Sequence, residues 1–247
     1  MKTPYIDSAF YTGIVSSSLR ERLAGFDHYG ESRPVHEAGS DFFDFLAVER
    51  QSLVCSIGKA SGSGIGASFT TASLQAFLRG LTRHHCGGLA SIVRDLNRTV
   101  YEIGPDGFYA SLFYGWFDPV RSRLHYVNAG HDPVLLLSRR TGRLRRLENT
   151  GTVLGLSLRV GYRQQSLDLE PGDLLLAMTD GVTEALREEE IVHLLGEHSS
   201  ERPVELVNRL LDAAGDVTEC TALAVRFKGP AASPVFEDAA ELACTAA

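Results

Sequence analysis

Three short segments combine carboxylates and glycines in arrangements that suit chemistry at the ends of strands. Residues 39–44 (GSDFFD) place two carboxylates three positions apart where a strand-like run begins. Residues 58–64 (GKASGSG) form a glycine-rich loop, and Asp180 ends the apolar run LLLAMT just before a glycine. A carboxylate at the tip of a buried strand is well placed to bind a hard cation. Each segment taken alone is also compatible with an ordinary turn.

The runs around these segments predict two sheets of mostly antiparallel strands with helices packed outside them. Apolar residues recur with a period near 3.6 in 89–103, which indicates a helix, and short turns between neighbouring strand-like runs indicate hairpins. Helices come in pairs instead of alternating with each strand, which argues against a doubly wound parallel sheet. The predicted helices are 14–25, 68–83, 89–103, 182–198 and 203–215. The predicted strands are 41–48, 52–59, 109–118, 122–130, 133–140, 143–149, 162–169, 174–180 and 220–227.

Composition excludes several classes of function. The chain has 247 residues and a net charge of −7, so no basic face for nucleic acid or an anionic membrane is expected. Charged or polar residues interrupt every apolar run before it is long enough to span a bilayer. The four cysteines are dispersed and form no CxxC pair, which favours reduced thiols and a cytoplasmic location. We expect one domain over residues 1–229 and a mobile tail over 230–247, which is rich in Ala and Pro.

Five motifs, taken together and in order, resemble a known family. They are GSDFFD at 39–44, GKASGSG at 58–64, VNAGHDP at 127–133, PGDLLLAMTDGVTE at 171–184 and TECT at 218–221. The SpoIIE/RsbU-like serine phosphatases, which are PPM-type members of the protein phosphatase 2C superfamily, carry GGDxxD, GDxSGxG, xNAGHxP, PGDxLxxxTDGxxE and DDxT. The resemblance covers about 190 residues. It implies an α+β fold, a four-layer α-β-β-α sandwich of two antiparallel sheets flanked by helix pairs.

The resemblance also implies a metal-dependent hydrolysis. In the family, aspartates at the ends of facing strands bind two Mn²⁺ or Mg²⁺ ions, and a water between the ions attacks a phosphoserine or phosphothreonine. Carried over by position, Asp41 and Asp180 match two metal-binding aspartates, and Ala60 matches a residue that contributes its backbone carbonyl. His131 and Asp44 are expected to have structural roles, with His131 bracing the turn before Pro133.

Two of the expected carboxylates are replaced in this chain. Lys59 occupies the position of the aspartate that both cations share, and Thr218 occupies the position of the last aspartate. Glu219 and Asp216 are nearby acids that could stand in for the second loss. An ammonium near 4 Å from a dication is repelled by roughly 8 kcal/mol at an effective dielectric constant of 20. We therefore expect Lys59 to form salt bridges with Asp41 and Asp180 in place of a cation.

Three functions remain open on these residues. The first is a regulator with the phosphatase fold and weak or no hydrolysis, in effect a pseudophosphatase. By resemblance, it would bind a phosphorylated STAS-type anti-sigma antagonist or an anti-sigma kinase. The second is a fully active Mn²⁺- or Mg²⁺-dependent phosphatase acting on phosphoserine or phosphothreonine. The third is a single-metal variant that uses Asp41, Asp180 and Glu219. The cofactor is accordingly Mn²⁺ or Mg²⁺ by family, or none.

Overall fold

The computed structural model describes residues 23–33, 39–62, 64–84, 87–104, 107–216 and 218–230. Its strands are β1 (Phe26–Arg33), β2 (Asp41–Ala47), β3 (Leu53–Ala60), β4 (Ala110–Asp118), β5 (Arg123–Ala129), β6 (Val134–Leu137), β7 (Leu144–Arg146), β8 (Gln165–Asp168), β9 (Leu174–Met178) and β10 (Cys220–Phe227). Its helices are α1 (Gly64–His84), α2 (Leu89–Ile103), α3 (Asp180–Ala185), α4 (Glu188–His198) and α5 (Pro203–Ala214). None of the helices in these ranges is long and apolar enough to cross a membrane.

The strands form two five-stranded antiparallel sheets that pack face to face. Sheet A has the order β1-β10-β9-β6-β7, and sheet B has the order β2-β3-β4-β5-β8. One apolar core lies between the sheets, a second lies between sheet B and helices α1 and α2, and a third lies between sheet A and helices α3 to α5. The predicted four-layer α-β-β-α sandwich is therefore confirmed.

The central strands are apolar at nearly every position because each of their faces meets a different core. In β9, Leu175 and Ala177 enter the core between the sheets, whereas Leu174, Leu176 and Met178 enter the core under the helices. Alternate residues of a strand point to opposite faces, so a strand covered on both sides has no polar alternation. This is why LLLAM reads as a continuous apolar run.

Several local predictions differ from the structure; the predicted strands 143–149 and 162–169, for example, are shorter, at Leu144–Arg146 and Gln165–Asp168. Strand β1 (Phe26–Arg33) was not predicted, because only two of its eight residues are buried and it carries no apolar alternation. The predicted helix 182–198 is two helices, since Arg187 is extended and its backbone N–H donates to the Glu190 carboxylate, which caps α4. Of the predicted helix 14–25, residues 23–25 form a turn and the rest lie outside the described residues, as do residues 231–247 of the predicted tail.

Four strand ends meet at one end of the sandwich. The antiparallel pairing of β2 with β3 places Asp41 directly opposite Lys59 in sheet B. The pairing of β9 with β10 brings the end of β9 next to the start of β10 in sheet A. Asp180 follows β9 and Glu219 precedes β10, so the segments selected from the sequence converge here.

Candidate functional site

Lys59 forms an ion pair with Asp180 across the two sheets. The Lys59 ammonium donates a hydrogen bond to the Asp180 carboxylate, and the two side chains are 33% and 51% exposed. Partial burial lowers the pKa of Lys59, but the hydrogen bond to Asp180 and the charges of Asp41, Asp180 and Glu219 outweigh it, so the pKa is raised. Lys59 is therefore a cation at neutral pH, held between the elements that carry the acidic groups.

The expected second salt bridge, from Lys59 to Asp41, is not formed. Asp41 is only 2% exposed, and its Oδ2 accepts a 2.6 Å hydrogen bond from the Thr179 hydroxyl. Its Oδ1 is buried and has no hydrogen-bond partner among the described residues. Burial first, and then the charge of Glu219, raise the pKa of Asp41 to about 7, whereas Thr179 and Lys59 act in the opposite direction. Lys59 therefore interacts with Asp41 electrostatically, without a hydrogen bond between the two side chains.

Glu219 binds the backbone at the start of β2. One carboxylate oxygen accepts hydrogen bonds from the Ser40 backbone N–H at 2.9 Å and the Ser40 hydroxyl at 3.0 Å. The other accepts from the Asp41 backbone N–H at 3.1 Å. A Cβ at Gly39 would lie 1.7 Å from this carboxylate, so the glycine leaves the room that Glu219 occupies. Sequence reasoning placed Glu219 near the site but missed this capping role, for which Gly39 was the available signal.

Thr218 and Asp216, the other two positions considered near the start of β10, bring no carboxylate to Lys59. The Thr218 hydroxyl donates to the Gly181 carbonyl at 3.1 Å, which joins the β10 entrance to the start of α3. Asp216 is exposed in the turn after α5. Ala60, the expected source of a backbone carbonyl, ends β3 and lines the cleft beside Lys59.

A cleft of about 310 Å³ opens at this end of the sandwich. His131 forms part of its wall but is itself 2% exposed, and its Nδ1 lies 3.1 Å from the Ser111 hydroxyl. The backbone N–H of His131 donates to Asn128 at 2.8 Å, and burial is the main cause that lowers the pKa of His131 to about 4. The His131 imidazole is therefore neutral at pH 7 and buried in the cleft wall beside Ser111. The cleft is lined by Lys59, Ala60, Ser61, Gly62, Tyr109, Ser111, Gly130, His131, Asp132, Val153 and Asp180.

Asp44, the second carboxylate of the GSDFFD segment, faces away from this cleft toward helix α1. It is 4% exposed, and the Arg79 guanidinium donates to its two oxygens at 2.5 and 2.6 Å. This paired contact joins β2 to the middle of α1. The sequence spacing of Asp41 and Asp44 therefore does not place both carboxylates in one site, because residues three apart on a strand lie on opposite faces.

The side chains at this end of the sandwich do not fit two divalent cations. The Asp180 carboxylate binds an ammonium, both oxygens of Glu219 bind N–H or O–H donors, and one oxygen of Asp41 binds a hydroxyl. Within the described ranges, no group of three or more His, Cys, Asp or Glu side chains is arranged to hold a metal ion. A hard cation takes several oxygen ligands, whereas the Lys59 side chain contributes an ammonium that would repel it. The buried, unpaired Oδ1 of Asp41 is the atom of this set that most resembles an open ligand.

Comparison with known proteins agrees with the architecture. The family model described as Stage II sporulation protein E (SpoIIE) matches residues 49–226. Phosphoserine phosphatase RsbU of Bacillus subtilis (strain 168) is 26% identical over 188 residues, which are 74% of this chain and 56% of RsbU. The chain thus spans little more than half the length of that relative.

Solved structures show the same fold. The RsbU and RsbW domains of Rv1364c from Mycobacterium tuberculosis superpose with a TM-score of 0.74 at 25% identity, covering 84% of this chain and 62% of that one. The PP2C phosphatase domain of SpoIIE from Bacillus subtilis, solved with a fragment of its regulatory domain, gives 0.72 at 15% identity and covers 82% and 63%. The chain shares the fold of the PP2C phosphatase domain of SpoIIE. Because the family model matches well over half of the chain, the chain belongs to the SpoIIE family.

Proposed function

We propose that this chain is a SpoIIE/RsbU-like regulator that binds a phosphorylated protein with weak or no metal-dependent hydrolysis. The observation that carries the proposal is the ammonium of Lys59 hydrogen-bonded to Asp180. By resemblance, Lys59 stands where relatives have the aspartate shared by both cations. A cation there would meet the repulsion of a charged lysine whose pKa is raised, so the amine is not expected to lose its proton to make room.

The partner is proposed from the family resemblance. It is a phosphorylated STAS-type anti-sigma antagonist or the anti-sigma kinase that phosphorylates it, and the setting is cytoplasmic signalling. The cleft beside Lys59 supports this because it is open and combines apolar surface with a few polar groups, among them the Lys59 ammonium, as binding sites do. Binding is measured with one STAS-domain protein in its phosphoserine and unmodified forms. We expect the chain to bind the phosphoserine form more tightly than the unmodified form and to release no phosphate from it.

The catalytic part is tested with p-nitrophenyl phosphate in the presence of Mn²⁺. We expect the wild type to stay near the rate without protein. We expect Lys59→Asp combined with Thr218→Asp to raise the rate by at least tenfold, because both missing carboxylates return. Glu184→Gln, a change at an exposed acid on α3, serves as the matched control and should leave the rate unchanged. Robust Mn²⁺-dependent turnover by the wild type would refute the proposal and favour an active phosphatase.

A further inference from the structure

Side chains join the two sheets at the cleft end through three separate contacts. Thr179, at the end of β9 in sheet A, donates to Asp41 of sheet B. Lys59 of sheet B donates to Asp180, which follows β9. Glu219, just before β10 of sheet A, accepts from Ser40 and Asp41 at the start of β2. We call these six residues the inter-sheet polar cluster.

Resting on the proposed function, we infer that the inter-sheet polar cluster links the sheets without a metal, and that Glu219 has a structural role in this cluster. Any cation bound between Asp41 and Asp180 would itself connect the two sheets, because Asp41 begins β2 of sheet B and Asp180 closely follows β9 of sheet A. In this chain protein side chains make that connection. Glu219 is then a structural residue and not a surviving metal ligand.

Glycines on both sides of residue 219 support this role. A Cβ at Gly39 would lie 1.7 Å from the Glu219 carboxylate, and a Cβ at Gly181 would lie 1.9 Å from the Glu219 backbone carbonyl. Both distances are far below van der Waals contact. The backbone before β2 and the first turn of α3 therefore approach residue 219 as closely as glycine allows.

The hydrogen bonds of the Glu219 carboxylate are the reason why we expect Glu219 to contribute more to stability than an ordinary surface acid. Its carboxylate is acceptor to three donors, and hydrogen bonds to a charged group are stronger than those between neutral groups. Glu219 also raises the pKa of buried Asp41, so it acts against the ionised form of that aspartate. Lys59 offsets part of the negative charge of Asp41, Asp180 and Glu219.

The test is a double-mutant cycle between Gly39 and Glu219, measured by thermal unfolding of the full chain in EDTA. Glu219→Ala removes the carboxylate, and we expect the unfolding midpoint to fall by about 4 to 8 °C. Gly39→Ala keeps the glutamate at position 219 but displaces its carboxylate from Ser40 and Asp41, so we expect a similar fall in the unfolding midpoint. The double variant should be no less stable than Glu219→Ala alone, because the new methyl group then enters the vacated space.

Two controls separate this outcome from general damage. Gly80→Ala changes an exposed helical glycine whose added Cβ would meet nothing within 4 Å, and Glu184→Ala removes an exposed acid. Neither should lower the midpoint appreciably. The inference would be overturned if Gly39→Ala left the unfolding midpoint unchanged. It would also be overturned if the shifts in midpoint caused by Gly39→Ala and Glu219→Ala were additive in the double variant.

The same cycle distinguishes this inference from the proposed function. A non-additive cycle in EDTA supports the structural role of Glu219 even where a separate assay finds phosphatase turnover by the wild type. An additive cycle overturns that role even where the wild type neither binds Mn²⁺ nor hydrolyses phosphate.

Discussion

Asp41 is the residue whose environment differs most from what its motif suggests. From the sequence it was predicted to be one of two aspartates paired with Lys59, and the structure instead buries it with one hydroxyl donor and one unpaired oxygen. The sequence could place Asp41, Lys59, Asp180 and Glu219 in one region because their motifs occur in family order. It could not show which donor each carboxylate would bind, because that depends on side-chain directions set by both sheets.

The raised pKa of Asp41 predicts a specific dependence of stability on pH. The pKa of Asp41 is raised from 3.8 to about 7, so folding favours the neutral carboxyl group. The stability that this group contributes is present in full below about pH 3.8, and it is lost as the pH rises from there through about 7. Asp41→Asn remains neutral, so its stability relative to the wild type should increase between about pH 4 and pH 7. The gain should be on the order of 1.4 kcal/mol for each unit of pKa shift.

Urea unfolding of both proteins at several pH values measures this difference. Because His131 is present in both proteins, its own acid sensitivity cancels in the comparison. A stability difference that stays constant from pH 4 to pH 8 would contradict the assigned environment of Asp41.

At the scale of elements, the sequence predicted the segments with a clear apolar pattern. Helix α2 has the predicted bounds because its apolar residues recur with the helical period. Strand β10 has them because it is a continuous apolar run that is buried on both faces. Strand β1 was missed because it is an edge strand of sheet A that buries only Phe26 and Gly30. The separation of α3 from α4 was missed because it depends on a capping contact of Glu190, which a count of apolar residues does not detect.

Helix α1 is attached to sheet B by the Asp44–Arg79 pair, and this contact carries a prediction. Arg79→Met leaves the buried Asp44 carboxylate without its cation, so we expect the free energy of unfolding to fall by about 2 kcal/mol. Arg83→Met, at an exposed position on the same helix, should change it by less than about 0.5 kcal/mol. Equal effects of the two substitutions in chemical unfolding would show that the pair does not hold α1 to β2.

At the scale of the whole molecule, the chain has the SpoIIE-family sandwich, with the Lys59 ammonium bound to Asp180 at its cleft end. Residues 59 and 218 belong to none of the three apolar cores between the four layers. Family membership could therefore be predicted from motif order, while the activity could not.

Calorimetric titration of Mn²⁺ into the wild type and into Lys59→Asp combined with Thr218→Asp tests the central claim most directly. The account predicts no heat beyond that of dilution for the wild type at millimolar Mn²⁺. It predicts measurable binding by the double variant, because two carboxylates that attract Mn²⁺ replace an ammonium that repels it. Two ions bound tightly by the wild type, with the Lys59 side chain displaced from Asp180, would contradict it.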